Sequence, residues 1–204
     1  MIEAVVWDIG RVLVEWDLGR IYRDAISDES DRRRFVTDVV SEQWHMQHDA
    51  GVPFTTMVAA RQAEFPQYAD LIALYATHWL ESIPGPVAGT HELIQRLTDR
   101  GVPQYAITNF GVDAWDLFRP TFSILDHMQD IVVSGIERLV KPGEAIFELA
   151  AQRFGRSPAS MLFIDDSAAN VATARQLGWT EHHFTGDAAA LEDQMVQLGL
   201  LLTT

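Results

Sequence analysis

Cysteine is absent from the 204 residues, which removes both a disulfide framework and a thiolate metal site from consideration. Nothing in the chain therefore calls for an oxidising compartment. No run approaches the ~18 consecutive apolar residues that a membrane span needs. The opening residues pass directly into a strand-like run, Ile2 to Trp7, with neither a basic segment nor a small-residue cleavage site before it. The expectation is a cytoplasmic protein without a membrane partner. Basic residues are also scarce, 15 against 29 acidic ones, for a formal net charge of −14. Such a field repels a phosphate backbone. Nucleic acid is thus an unsuitable partner, although a few local cations can still draw in a small anion.

Apolar residues, by contrast, make up 48% of the chain, enough for one sizeable core and a small accessory unit. Short β-branched or aromatic runs recur at Ala4 to Trp7, Gln104 to Ile107, Ile131 to Val133, Met161 to Ile164 and His182 to Phe184. Between the later runs, Pro86–Arg100, Val112–Phe118, Gly143–Phe154 and Ala168–Leu177 carry apolar residues at three- and four-residue spacings. This rhythm predicts an α/β fold, a Rossmann-like parallel sheet with crossover helices on both faces and the first strand central. One interval breaks it. Between the first strand and Pro86 the patterns are helical only, at Asp17–Ile26, Asp31–Gln47, Pro53–Glu64 and Ala69–Glu81, punctuated by Gly51, Pro53 and Pro66. The predicted organisation is a core of residues 1–15 and 84–204 with a small all-helical cap of residues 16–83. Pro84-Gly85-Pro86 would form a stiff hinge at its boundary. The sequence leaves monomer and homodimer equally open.

In open α/β sheets the ligand site lies beyond the carboxyl ends of the strands. Asp8-Ile9-Gly10 follows the first run and Thr108-Asn109 the second, Lys141-Pro142 precedes a helix, and Asp165-Asp166-Ser167 follows the fourth run, with Asn170 one turn on. Each could merely cap a turn or helix; four such groups in order at strand ends point to one polar site. These segments resemble the four motifs of the haloacid dehalogenase superfamily, a family with many phosphatases. Trp7-Asp8-Ile9-Gly10-Arg11-Val12-Leu13 is similar to its first motif, Ile107-Thr108-Asn109 to the second, Leu139-Val140-Lys141-Pro142 to the third and Phe163-Ile164-Asp165-Asp166-Ser167 to the fourth. The helical insert sits where this family places a cap.

The resemblance implies a hydrolase with Asp8 as nucleophile, forming an acyl phosphate that water later hydrolyses. Mg²⁺, a hard cation, would take oxygen from the Asp8 carboxylate, the Gly10 carbonyl and the Asp166 carboxylate, with Asp165 assisting from behind. Lys141 would keep Asp8 ionised and neutralise the transferring group. Thr108 and Asn109 would donate hydrogen bonds to phosphate oxygens, and Ser167 and Asn170 either orient the carboxylates or start the next helix. One departure stands out. Where most phosphatases of the family carry a second aspartate as general acid and base, this chain has Gly10. Glu15, Asp17, His45 and His48 are the candidates to replace it, although the His45/His48 pair reads more naturally as a solvated helix face. Three functions follow: a Mg²⁺-dependent phosphatase for a small phosphorylated metabolite such as a sugar phosphate; a metal-free 2-haloacid dehalogenase acting through an aspartyl ester; or a non-catalytic protein that binds a phosphate ligand. The Asp165-Asp166 pair favours the first, because a metal-free displacement has no use for that charge.

Overall fold

The computed structural model describes residues 1–203. They form a five-stranded, all-parallel sheet of β1 (Ala4–Trp7), β2 (Gln104–Thr108), β3 (Asp130–Val133), β4 (Met161–Asp165) and β5 (Thr180–His183), in the order β3-β2-β1-β4-β5. The first strand is central, as expected, and its uninterrupted apolar run suits a strand buried on both faces. Alternation along the strands divides the core in two. Val5, Trp7, Ala106, Leu162 and Ile164 face one layer, while Ala4, Val6, Tyr105, Ile107, Met161 and Phe163 face the other. The last strand lies slightly earlier than the aromatic run at His182 to Phe184 suggests: it begins at Thr180, and Phe184 returns its N–H to the Asp165 carbonyl at 2.9 Å.

Ten helices surround this sheet among the described residues. The insert holds α1 (Glu29–Asp38), α2 (Glu42–Asp49), α3 (Phe54–Glu64) and α4 (Ala69–Thr77), and the remainder are α5 (Thr90–Asp99), α6 (Val112–Phe118), α7 (Ser134–Glu137), α8 (Glu144–Phe154), α9 (Ala168–Gln176) and α10 (Ala188–Gln197). Leu93, Ile94 and Leu97 of α5 and Leu191 and Met195 of α10 cover the first sheet face. Ile146, Phe147 and Ala150 of α8 and Ala174 of α9 cover the second.

Two helix expectations in the insert need correction. The pattern at Asp31–Gln47 is not one helix but α1 and α2, broken because Ser41 caps the second helix through the Trp44 N–H at 3.1 Å. Arg61, from α3, collects the freed carbonyls of Val39 at 2.5 Å and Asp38 at 3.2 Å. The pattern at Asp17–Ile26 yields only a short 3₁₀ turn, Leu18–Tyr22, because the Asp17 side chain accepts from the Gly19 N–H at 2.8 Å and tightens the chain.

The insert is docked, not appended. Phe35, Phe54, Met57, Ile72, Tyr75 and Trp79 join the same apolar cluster as the first sheet face. The two connecting segments are hydrogen-bonded to each other, Glu15 N–H to the Gly85 carbonyl at 2.9 Å, Asp17 N–H to Ser82 at 2.8 Å and Val87 N–H to Leu13 at 3.1 Å. A further fastening lies at the end of α2. His48 is buried, not solvated as its helical spacing suggests, and its ring stacks on Phe54 at 4.0 Å. Its Nδ1 donates to the Val52 carbonyl at 2.8 Å, which leaves Nε2 to accept the Ala114 N–H of α6 at 3.3 Å. The ring lies so close to Gly111 that a Cβ there would stand 2.1 Å from it. The neighbouring Phe54 N–H donates to Asp113 Oδ2 at 2.7 Å.

Gly111→Ala should therefore destabilise the protein by about 1–3 kcal/mol through overpacking, read as a lower urea midpoint. Adding His48→Ala should recover part of that loss, and strictly additive losses would show that the two do not collide. Burial also pushes the His48 imidazole below its ordinary value of 6.5. The unfolded chain then takes up a proton that the folded chain refuses. The stability His48 contributes is complete above pH 6.5 and is lost as pH falls through its lower folded value. As pH falls below 6.5 the urea midpoint of the wild type should fall more steeply than that of His48→Gln; parallel slopes would exclude the effect.

Candidate active site

Four polar segments converge at the carboxyl end of the sheet because β1, β2 and β4 are neighbours there. The Lys141 ammonium is the meeting point. It is almost completely buried and donates to Asp8 Oδ1 at 2.7 Å, Asp165 Oδ2 at 2.7 Å and the Ile107 carbonyl at 2.8 Å. Its backbone is clamped by Asn109, whose amide donates to the Lys141 carbonyl and whose carbonyl accepts the Lys141 N–H, both at 2.9 Å. The Asn109 side chain thus positions the lysine. Asp165 is saturated: beyond Lys141 it accepts from the Ser167 N–H at 2.8 Å and from the Asn170 amide at 2.9 and 3.0 Å. Ser167 meanwhile starts α9 as its N-cap, while the Asn170 amide holds the Asp165 carboxylate.

Asp8 and Asp166 are less fully engaged. Lys141 takes only Oδ1 of Asp8, which leaves Oδ2 for attack or ligation. The Asp166 side chain, half-buried, makes no hydrogen bond among the described residues. One ligand oxygen from each of Asp8, Asp165 and Asp166 can be chosen within 4.8 Å of the others. Burial pushes the Asp8 carboxyl up to about 7; Lys141 offsets part of this and Asp165 adds to it. Burial likewise raises Asp166, with repulsion from Asp165 reinforcing it and Arg11 and Lys141 opposing it. Lys141 shows the converse. Burial works against its charge, but Asp165 and Asp8 outweigh that and hold the ammonium above its ordinary value. Both partners of the Lys141–Asp8 pair are thus raised, as befits one ammonium shared between two carboxylates: the cation is amply compensated and the second anion is not.

These groups open onto a cavity of about 310 Å³ lined by Asp8, Gly10, Asn109, Lys141 and Asp166 on the core side. Val14, Trp16, Met46, Trp79, Ile83 and Phe110 give it apolar walls. Thr108 is buried at the end of β2 and lies outside this lining. Of the candidates to replace the missing carboxyl at Gly10, Asp17 is occupied as the cap of Gly19, Glu15 is exposed outside the lining, and His48 is held in the docking of α2. His45 does line the cavity, and so does Asp49, one helical turn on. No motif marks Asp49; its signal in the sequence is the four-residue step from His45, which puts both on one helix face.

The sequence pattern of the haloacid dehalogenase-like hydrolases matches residues 2–178, and the chain belongs to that family. It is 24% identical over 198 residues, 92% of each chain, to the sesquiterpene phosphatase astK of Aspergillus oryzae. A 90-residue stretch, 43% of this chain and 8% of the other, is 33% identical to acyl-CoA dehydrogenase family member 10 of Mus musculus. The HAD family enzyme bt-2542 of Bacteroides thetaiotaomicron, solved with magnesium and inorganic phosphate, superposes with a TM-score of 0.72 at 20% identity, over 94% of this chain and 99% of that one. The L-2-haloacid dehalogenase of Xanthobacter autotrophicus with chloropropionic acid covalently bound gives 0.64 at 16% identity, over 97% and 83%. At such identities the structural likeness establishes the shared fold.

The Lys141 network makes a stability prediction that needs no substrate. Lys141→Met removes the one cation from between two buried carboxylates and should cost about 3–5 kcal/mol in urea unfolding without divalent metal. A loss below about 1 kcal/mol, the range of exposed pairs, would mean that water screens the cluster.

Proposed function

We propose that this protein is a Mg²⁺-dependent phosphatase for a small organic phosphate monoester, with Asp8 as nucleophile and an aspartyl phosphate as intermediate. The observation that carries the reading is the charge balance at the sheet end. Three carboxylates, Asp8, Asp165 and Asp166, gather within reach of one another against the single ammonium of Lys141. A dehalogenase working without metal gains nothing from this surplus of negative charge, whereas a hard divalent cation neutralises it. The donor set suits Mg²⁺, since every donor is an oxygen and the Asp166 carboxylate is not engaged by protein. Asp8, Asp166 and the Gly10 carbonyl would hold the ion, and Asp165, already saturated by Lys141, Ser167 and Asn170, would support it from behind. When bound, the ion supplies charge neutralisation to the phosphoryl group.

The chain's own residues then divide the remaining tasks. Oδ2 of Asp8 is free to attack phosphorus while Lys141 holds Oδ1 and keeps the carboxylate oriented. Lys141 also lends positive charge to the group in transfer. The backbone after β2 would donate to phosphate oxygens, with Asn109 acting through its clamp on Lys141 and Thr108, outside the cavity lining, supporting that strand end. Residues 1–15 and 84–204 would serve as catalytic core and residues 16–83 as a cap whose Trp16, Met46, Trp79 and Ile83 enclose the organic part of the substrate. The cavity volume, about 310 Å³, lies at the small end for ligand sites. Its apolar walls suit a substrate with a hydrocarbon face, in keeping with a full-length relative that is a sesquiterpene phosphatase. Stacking on Trp16 or Trp79 would equally suit a sugar phosphate.

A panel of sugar, terpenyl and aryl phosphates, assayed with Mg²⁺ and with EDTA beside a halide-release assay on 2-halo acids, tests this directly. Phosphate release that stops with EDTA and returns with Mg²⁺ is expected. Asp8→Asn should lose at least 10³-fold of that activity while keeping its circular dichroism spectrum, because the amide is nearly isosteric and a poor nucleophile. Halide release unaffected by EDTA, or full phosphatase activity in Asp8→Asn, would overturn the reading.

A further inference from the structure

The phosphatase reading leaves one chemical gap. With Gly10 in place of a carboxyl, nothing on β1 can protonate the departing ester oxygen. The gap is real space as well, since a Cβ built on Gly10 meets no atom within 4 Å. Across the same cavity, α2 presents Asp49, 7% exposed, whose carboxylate makes no hydrogen bond among the described residues. Its Oδ1 is buried without a partner, and His45 Nε2 stands 3.4 Å from it, within ion-pair reach but outside hydrogen-bond alignment. A buried carboxylate of this kind is costly to keep unless something enters to engage it.

What surrounds Asp49 fixes it in place. The Ser134 hydroxyl donates to the Asp49 backbone carbonyl at 2.7 Å and accepts the Phe110 N–H at 2.9 Å, tying the end of α2 to the loop directly after Thr108-Asn109. His45 is held in turn by a hydrogen bond between its Nδ1 and the Tyr75 hydroxyl and by packing against Trp16 at 4.9 Å. Asp49 is therefore a carboxyl delivered by the insert to the cavity that Asp8 lines, on a backbone anchored to the core.

We propose that Asp49 is the general acid and base of the reaction, supplying from the helical insert what Gly10 lacks, with His45 as its positioning residue. The inference rests on the phosphatase reading. In this assignment the proton that leaves with the alcohol is carried by Asp49. As Oδ2 of Asp8 forms its bond to phosphorus, the bond from phosphorus to the ester oxygen breaks and that oxygen takes the proton from Asp49, leaving as the alcohol. In the second half, the Asp49 carboxylate takes a proton from water as the water oxygen bonds to phosphorus. The acyl phosphate then breaks to inorganic phosphate and the Asp8 carboxylate, and Asp49 is protonated again. The insert thereby becomes part of the catalytic apparatus.

Leaving-group dependence tests this, because an alkoxide needs the proton and a p-nitrophenolate does not. The wild type should hydrolyse alkyl and aryl phosphates with a small difference in kcat. Asp49→Asn should raise the aryl-to-alkyl ratio of kcat on the order of 10²-fold. His45→Gln should raise it by less, with KM for the alkyl ester little changed. Gly10→Asp placed in the Asp49→Asn background should lower the ratio again, because the open space admits a carboxyl. Circular dichroism and Mg²⁺-dependent beryllofluoride binding establish that each variant folds with its site intact. A wild type with steep leaving-group dependence, a reading that needs no variant, overturns the assignment, as does Asp49→Asn slowing both esters equally. If no ester is turned over at all, the phosphatase reading fails and this proposal with it.

Discussion

A single buried ammonium organises the carboxyl end of this sheet. Removing Lys141 from water is expensive, and the fold offsets that cost with three acceptors drawn from three adjacent strands: Asp8 after β1, the Ile107 carbonyl in β2 and Asp165 at the end of β4. Only the observed strand order places these side by side, with β1 flanked by β2 and β4. The Asn109 clamp then fixes the lysine backbone. Topology, polar satisfaction and the geometry around Asp8 are thus one constraint, and a shift in any of the four segments would strand a charge.

That arrangement divides the carboxylates by role. Asp165 has its oxygens filled by Lys141, Ser167 and Asn170, so it acts as a counter-ion built into the wall. Asp8 keeps one oxygen clear of the lysine and Asp166 keeps its carboxylate clear of protein donors. Burial and mutual repulsion raise the affinity of Asp8 and Asp166 for protons, and the same forces favour any cation that can take the protons' place. The core side of the cavity is accordingly ionic and the insert side mainly aromatic and aliphatic, with Asp49 as its one carboxylate.

The parts of this design legible in the sequence are those written in short spacings. Buried parallel strands appear as Ala4 to Trp7 or Met161 to Ile164, and the residues directly after them identify the polar cluster because chain direction alone sends them to one sheet edge. What escapes notice depends on partners distant in the chain. The break between α1 and α2 is held open by Arg61, which collects carbonyls 22 and 23 residues earlier. His45 and His48 resemble a wet helix face until Trp16, Phe54 and Tyr75 close over them from three other segments. Asp49 is hidden for the same reason, since nothing near it in sequence tells that Ser134 will seat it at the cavity. The lysine clamp is a further instance: Asn109 and Lys141 are each conspicuous, yet their pairing belongs to the sheet edge.

The paired connecting segments have a mechanical corollary. Two strands of chain laced together at Glu15–Gly85, Asp17–Ser82 and Leu13–Val87 resist twisting, and the far end of α2 is pinned separately at Gly111, Ala114 and Ser134. A body held along one edge and at a remote point does not swing as a door. Arg11, in an exposed ion pair with Glu42, lines the cavity and lies 4.8 Å over the Trp16 ring. Being exposed, that pair weakens as salt concentration rises.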